Sequence, residues 1–426
     1  MTTSLRVMVV DDTITYRMIV KSVAESITGI QVVASANNGR VALERLPLDQ
    51  PDVILLDVEM PVLDGLETLK FLHKNHPDVT VIMVSGLSRS NANLIMACLQ
   101  EGALDFVTKP LESNATRARE ALRRDLEPIL TLLLQKKGHA PKAAAPPAPV
   151  MPTPAAQGSN GGAPNPAGGA ATPRELRPAL RRTPPPELHP KHPSGAGPHV
   201  EPSAATPPPP AARPQPPQPA PQPARRVATQ HGAAPMRPGL LLIGSSTGGP
   251  AALTRVFSGI GQALPIPTLI VQHMPPVFTA SLATQLQKSS GMDVQEAREG
   301  LPVNPGSVTL AAGGVHMVVK EGAQGLTLAL HDGPKVNECR PAVDVLFQSV
   351  AEHFSGPVLA VILTGMGRDG AQGVELLKRN HQAWCIAQDQ ESCVVYGMPR
   401  AVVELGLADE LLPLDRIGPR ILELCR

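Results

Sequence analysis

The chain has 426 residues, 48 of them proline, and a formal net charge of +1. That length exceeds one ordinary core and points to two or three domains. No run of 18 apolar residues occurs, which argues against a membrane-spanning segment, and the near-neutral balance argues against a strongly basic nucleic-acid binder.

The first apolar run, "LRVMVV", is expected to start the chain straight into a strand and leads into Asp11 and Asp12. "IQVVASA" follows, then "PDVILLD" ending at Asp57, "VTVIMVSG" ending near Ser85, and "DFVTKP" ending at Lys109 and Pro110. Amphipathic stretches such as "NGRVALERL" and "NANLIMACLQEGA" separate them. Five buried strands alternating with helices specify a doubly wound parallel sheet. Right-handed crossovers put the carboxyl end of every strand on one edge. Asp11, Asp12, Asp57, Ser85 and Lys109 then gather at one rim. Clustered carboxylates repel one another unless a hard cation binds them, and Mg²⁺ with oxygen ligands suits the set. A lone Asp at a strand end is more often a cap or turn residue, but five such positions in order are hard to explain that way.

More than half of the prolines fall between Pro141 and Pro238, in a stretch with no Phe, Trp or Tyr. Such a segment cannot bury enough apolar surface to offset its ordering entropy. It is expected to be a disordered, Pro/Ala-rich linker. Its basic residues, among them Arg181, Arg182, Arg225 and Arg226, outnumber Glu175, Glu187 and Glu201, leaving the flanking parts mildly acidic. The expected domains are 1–135, a linker at 136–238, and 239–426.

Past the linker, "LLLIGSSTGGPAALTRVF" reads as strand, glycine-rich turn and helix. Gly244-Ser245-Ser246-Thr247-Gly248 fits G-x-S-x-G in the strand-to-helix context of a nucleophile on a sharp turn. The same turn could instead cradle a phosphate. "PTLIVQHMPP" sets His273 beyond a buried strand, and "PVLAVILTGMGRDGAQGVELLK" sets Asp369 in a loop after another. A parallel sheet can bring Ser246, His273 and Asp369 to one edge as the hydroxyl, base and carboxylate of acyl transfer. Spacing leaves alternatives open. Ser246 could cap a helix, Asp369 could cap the helix starting at Gly370, and His316, His331, His353 or His381 could be the base. Cys98, Cys339, Cys385, Cys393 and Cys425 show no metal-ligand spacing and are read as reduced thiols.

The N-terminal pattern, with Pro61, Asp64 and Gly65 after Asp57, resembles the response-regulator receiver family. "IGSSTGGPAAL", "VQHMPPVFTASLA", "ECRPAVDVLFQSVA", "ILTGMGRDGAQG" and "AQDQESCVVYGMPRAV" resemble the catalytic domain of the chemotaxis protein-glutamate methylesterases, the CheB family. The resemblance implies a flavodoxin-like receiver followed by a Rossmann-like α/β esterase domain. It implies that Asp57 accepts phosphate, that Asp11, Asp12, Asp57 and the Glu59 carbonyl hold Mg²⁺, and that Ser85, Lys109 and Phe106 form the switch. Phe106 stands where many receivers carry Tyr. Ser246 would be the nucleophile, His273 the base and Asp369 its orienting acid, with the Thr247 and Met366 backbone N–H groups as oxyanion hole. Arg368 departs from the usual Asn and is expected to bring a cation near Asp369. The implied activity is phosphorylation-activated hydrolysis of glutamate γ-methyl esters on chemoreceptors, and deamidation of receptor glutamines, with no cofactor for the esterase step. A histidine kinase would be the phosphodonor. A cytoplasmic location is expected, with no nucleic-acid partner and no membrane insertion. Two rivals are a non-catalytic adaptor and a nucleotide-dependent enzyme.

Overall fold

The structure is a computed structural model and describes residues 4–86, 88–110, 114–139, 237–322 and 325–426. These all belong to one unit, 1–142 with 223–426. Almost the whole expected linker lies outside the described residues.

The N-terminal part alternates strand and helix: β1 Leu5–Val10, α1 Ile14–Glu25, β2 Ile30–Ala36, α2 Gly39–Asp49, β3 Val53–Asp57, α3 Gly65–Asn75, β4 Thr80–Ser85, α4 Arg89–Glu101, β5 Asp105–Thr108 and α5 Ala115–His139. The five strands form one sheet in the order β2-β1-β3-β4-β5, and every pairing is parallel. Every residue of β3 is buried, which is why its sequence is a continuous apolar run rather than an alternating one. The strand order reverses between β1 and β3, so the rim beyond their carboxyl ends is the crevice of the fold. α5 continues to His139, past the expected boundary at 135, because Pro128 sits within it without ending it.

The C-terminal part holds β6 Leu240–Ser245, α6 Gly249–Ile260, β7 Thr268–Gln272, α7 Phe278–Ser290, β8 Val294–Glu296, β9 Val308–Leu310, β10 His316–Gly322, β11 Gly325–His331, α8 Val343–His353, β12 Val358–Ile362, α9 Ala371–Asn380, β13 Ala383–Gln388, α10 Met398–Glu404, β14 Glu410–Leu412 and α11 Leu414–Cys425. Seven strands make a parallel sheet in the order β14-β13-β12-β6-β7-β9-β8. β6 is central, with β7 on one side and β12 on the other, so the chain turns both ways from it. The loops after β6, β7 and β12 therefore open onto one crevice. β10 and β11 form a separate antiparallel hairpin, an element the alternating strand–helix pattern did not lead one to expect.

The two parts share apolar contact. α4 packs on α6 and α7. The Phe106 ring of β5 lies 4.5 Å from that of Phe278 on α7, tilted by 41°. Among the described residues, no helix is long and apolar enough to cross a membrane.

Candidate active site and phosphoacceptor site

At the rim of the first sheet, β1 delivers Asp11, β3 delivers Asp57 and the residue after β5 is Lys109. Lys109 Nζ lies 2.7 Å from Asp57 Oδ2 and 2.7 Å from Asp11 Oδ2. The Val58 N–H donates to Asp57 Oδ1 at 2.8 Å. Burial pushes the Asp57 carboxyl up to about 6 even though Lys109 pulls the other way. Burial also works against the Lys109 charge, and the two carboxylates overcome it, raising its pKa above the ordinary value. Asp11, Asp12 and Asp57 bring carboxylate oxygens within 4.8 Å of one another. Asp11 Oδ2 is buried, and Lys109 Nζ is the cation paired with it. Three carboxylates drawn that close together fit a hard cation.

Glu59 lines a cavity of about 340 Å³ with Asp12, Asp57 and Lys109. Ser85 is fully buried, and its hydroxyl accepts from Asn91 Nδ2 at 3.3 Å. Two neighbours carried no signal in the sequence. One is Asn91, and the other is Tyr16, whose ring centroid is 5.0 Å from Lys109 Nζ.

In the second sheet, β6 ends at Ser245 and the chain turns through Ser246 and Thr247 into α6. Gly248 adopts φ +75° there, the left-handed region that favours glycine. Ser246 N–H donates to Thr364 O at 3.0 Å, fixing the turn against the loop after β12. Gln272, at the end of β7, accepts from Ser245 Oγ at 2.7 Å and donates to Ser246 O at 2.9 Å. This amide joins the turn to the strand that carries His273.

His273 Nε2 lies 2.7 Å from Asp369 Oδ2. The Asp369 carboxylate is 2% exposed and also accepts from Val343 N at 2.6 Å, Asp344 N at 3.0 Å and Asn337 Nδ2 at 2.8 Å. Two of those donors are the first N–H groups of α8, where a helix favours negative charge. Burial disfavours the Asp369 charge, but His273 and these donors outweigh it and hold the carboxyl below its usual range. Burial likewise disfavours a charged His273, and Asp369 first, then Cys339, overcome it, pushing the imidazole up to about 9. Asp344 is the neighbouring carboxyl. Burial raises it to about 6, while it accepts from Gly370 N at 2.9 Å and Gly373 N at 2.7 Å. Asn337 Nδ2 spans the two carboxylates, 2.8 Å from each.

Several open alternatives now have outcomes. Asp369 accepts from the first N–H groups of α8 and also, at 3.1 Å, from the N–H of Gly370, the residue before α9. His316 Nε2 faces Pro334 O, His331 Nδ1 accepts from Gly333 N and His381 Nε2 faces Ala351 O. Arg368 is exposed and is not among the partners of Asp369. Ser246, Thr247, His273 and Met366 line one cavity of about 600 Å³, together with Asp105 and Phe106 of the first part. Among the described residues no hydrogen bond joins Ser246 Oγ to His273. The second imidazole nitrogen, Nδ1, lies 3.3 Å from Cys339 Sγ instead. Asn337, Cys339 and Asp344 were missed as site residues, although Cys339 and Asp344 stand in the quoted "ECRPAVDVLFQSVA" segment.

Comparison with known proteins agrees on both halves. Residues 241–421 match the CheB methylesterase family and residues 7–120 match the response regulator receiver domain. A protein-glutamate methylesterase/protein-glutamine glutaminase of Desulfotalea psychrophila is 37% identical over 424 residues, covering 98% of each chain. This chain belongs to that family. A Caulobacter vibrioides member, protein-glutamate methylesterase/protein-glutamine glutaminase 2, is 36% identical and covers 99% of both chains. The Thermotoga maritima CheB methylesterase catalytic domain is 41% identical, with a TM-score of 0.43, covering 44% of this chain and all of that one. The methylesterase family is a hydrolase family, so neither a pure adaptor nor a nucleotide-dependent enzyme describes the chain.

Proposed function

We propose that the protein hydrolyses glutamate γ-methyl esters on chemoreceptors under the control of phosphorylation at Asp57, and deamidates receptor glutamines through the same residues. The observation that carries this reading is the 2.7 Å pairing of His273 with buried Asp369 beside a cavity that His273 and Ser246 both line.

Ser246 Oγ attacks the ester carbonyl as His273 takes its proton at Nδ1, the nitrogen not engaged by Asp369. The Thr247 and Met366 backbone N–H groups stabilise the oxyanion. Collapse of the tetrahedral adduct breaks the bond to the methoxy group, and His273 returns the proton to release methanol. Water, deprotonated by His273, then cleaves the acyl-enzyme to glutamate and free Ser246. For this cycle Cys339 must yield Nδ1 to the serine.

In the receiver, Asp57 is the phosphoryl acceptor, and Asp11 and Asp12 with the Glu59 carbonyl are the residues that would hold Mg²⁺. A bound Mg²⁺ would neutralise charge developing on the phosphoryl oxygens. Lys109 and Ser85 pair with those oxygens in this reading, which the closeness of Lys109 Nζ to Asp57 supports. A histidine kinase of a chemosensory pathway is the phosphodonor in this reading, and the reaction takes place in the cytoplasm. Because Asp105 and Phe106 line the same cavity as Ser246, the unphosphorylated receiver restricts access to the nucleophile.

The test is methanol release from methylated receptor, with and without acetyl phosphate and Mg²⁺. Ser246→Ala is expected to lose at least about 10⁴-fold in rate. Asp57→Asn is expected to keep basal activity and lose the stimulation. Ser246→Ala with an undiminished rate would sink the esterase assignment.

A further inference from the structure

The five cysteines differ sharply in setting. Cys98, Cys385, Cys393 and Cys425 are buried, and burial pushes the first three up to about 12 and the fourth to about 11. Thiols held in that form are poor nucleophiles. Cys339 is only partly buried and lines the cavity that holds Ser246. Its sulfur faces His273 Nδ1 at 3.3 Å, and the opposite nitrogen of that ring faces Asp369 at 2.7 Å. Sulfur, imidazole and carboxylate thus form a chain in which the thiol proton can pass to Nδ1 while Asp369 balances the resulting imidazolium. That is the setting in which a cysteine becomes a nucleophile. The esterase mechanism uses the other two members of the chain and leaves the sulfur without a task.

We propose that Cys339 is an oxidant-sensitive modification site, where hydrogen peroxide converts the thiol to a sulfenic acid and thereby turns the esterase off. The thiolate sulfur attacks one peroxide oxygen and the O–O bond breaks. Sulfur is oxidised by two electrons, and the departing hydroxide takes the proton from His273 to leave as water. The new S–OH sits against the imidazole nitrogen the serine needs. A dithiol reverses the step, reducing the sulfenic acid to thiol and water while itself becoming a disulfide. The loss of esterase activity rests on the triad reading above, whereas the modification itself does not.

The experiment exposes the full-length protein to hydrogen peroxide, traps sulfenic acid with a 1,3-dione and locates the adducts by peptide mass spectrometry. Cys339 is expected to be trapped at least about tenfold faster than any of the other four cysteines, and His273→Gln to slow that trapping by a similar factor. Methanol release should fall in step with trapping when no dione is present, and dithiothreitol should restore it. Each variant is scored against its own untreated rate, and Cys339→Ser should hold that rate under peroxide. This arm also separates Cys339 from Met274 and Met366, which line the same cavity. Ser246→Ala should still be trapped at Cys339, so the site is scored even if Ser246 proves not to be the nucleophile. Even labelling across the five cysteines would overturn the proposal. So would trapping at Cys339 with no loss of rate, or a Cys339→Ser protein that loses activity as fast as the wild type.

Discussion

At the residue scale the balance between His273 and Asp369 sets the pH behaviour. A histidine pushed up to about 9 is charged near neutrality, yet a general base must be neutral to accept a proton. The rate at limiting substrate is therefore expected to climb as pH rises from 7 and to level off near 9. Stability should run the opposite way. The histidine's folded pKa is raised, so its pairing stabilises fully below its ordinary value of about 6.5 and is lost as pH climbs through 9. Asp369→Asn removes the carboxylate that does most to hold the charge. Its pH profile should then drop to about 6.5 or lower, with a maximal rate down on the order of 10⁴-fold. A pH–rate series on both proteins checks this, and an unshifted profile in the variant would mean that Asp369 does not govern the base. The chemistry at this scale was partly legible in the chain. Ser246, His273 and Asp369 stand at strand ends, where a parallel sheet collects reactive groups. Asn337, Cys339 and Asp344 lie in a loop and a helix start, and only the folded chain carries that segment against Asp369.

At the element scale the site depends on how closely α8 can approach β6. Gly244 makes the approach possible, since a Cβ there would sit 2.7 Å from Val343 Cγ1 and 2.9 Å from Val343 Cγ2. Val343 is the first residue of α8 and donates its N–H to Asp369, so spreading this contact moves the helix end off the carboxylate. Gly244→Ala is expected to cost about 1–3 kcal/mol, or roughly 3–10 °C in Tm, and to lower esterase activity with it. Gly291 is the control. It takes φ +70° at the end of α7, but a Cβ there meets nothing within 4 Å, so Ala should cost only about 1–2 kcal/mol of backbone strain and leave the rate alone. Thermal melts and rates on the two variants decide it, and equal losses in both would mean the α8 contact is unimportant. Among the strands that carry the sites, β3, β6, β7 and β12 were readable because every residue in them is buried, which gives long apolar runs. β10 and β11 were not, because they pair antiparallel with each other and no crossover helix separates them. Short β8, β9 and β14, of three residues each, offer too little pattern to be seen.

At the scale of the whole molecule, the first part meets the second along a seam of β5, α4 and α5 against α6, α7 and the loop at Val394. Phe106 is 9% exposed and rests on Phe278, a fully buried residue of α7. Beside it, burial pushes the Asp105 carboxyl up to about 6, while the Thr247 side chain across the seam favours its charged form. Lys136, near the end of α5, donates to Val394 O across the same boundary. Nothing in the sequence announced this seam, because its partners lie more than a hundred residues apart and belong to halves that each read as a complete fold. A receiver that restricts Ser246 through these contacts should release it when the aromatic anchor is removed. Phe106→Ala is therefore expected to raise methanol release without phosphodonor by about threefold to tenfold, since loss of even 1 kcal/mol of contact shifts a closed–open balance about fivefold. Acetyl phosphate should then add little, because the closed arrangement it would relieve is already depleted. Asp57→Asn in the same background should behave like Phe106→Ala alone. A Phe106→Ala protein with unchanged basal rate and full stimulation by acetyl phosphate would show that the Phe106–Phe278 contact carries no control, leaving the polar contacts of Asp105 and Lys136 to hold the seam.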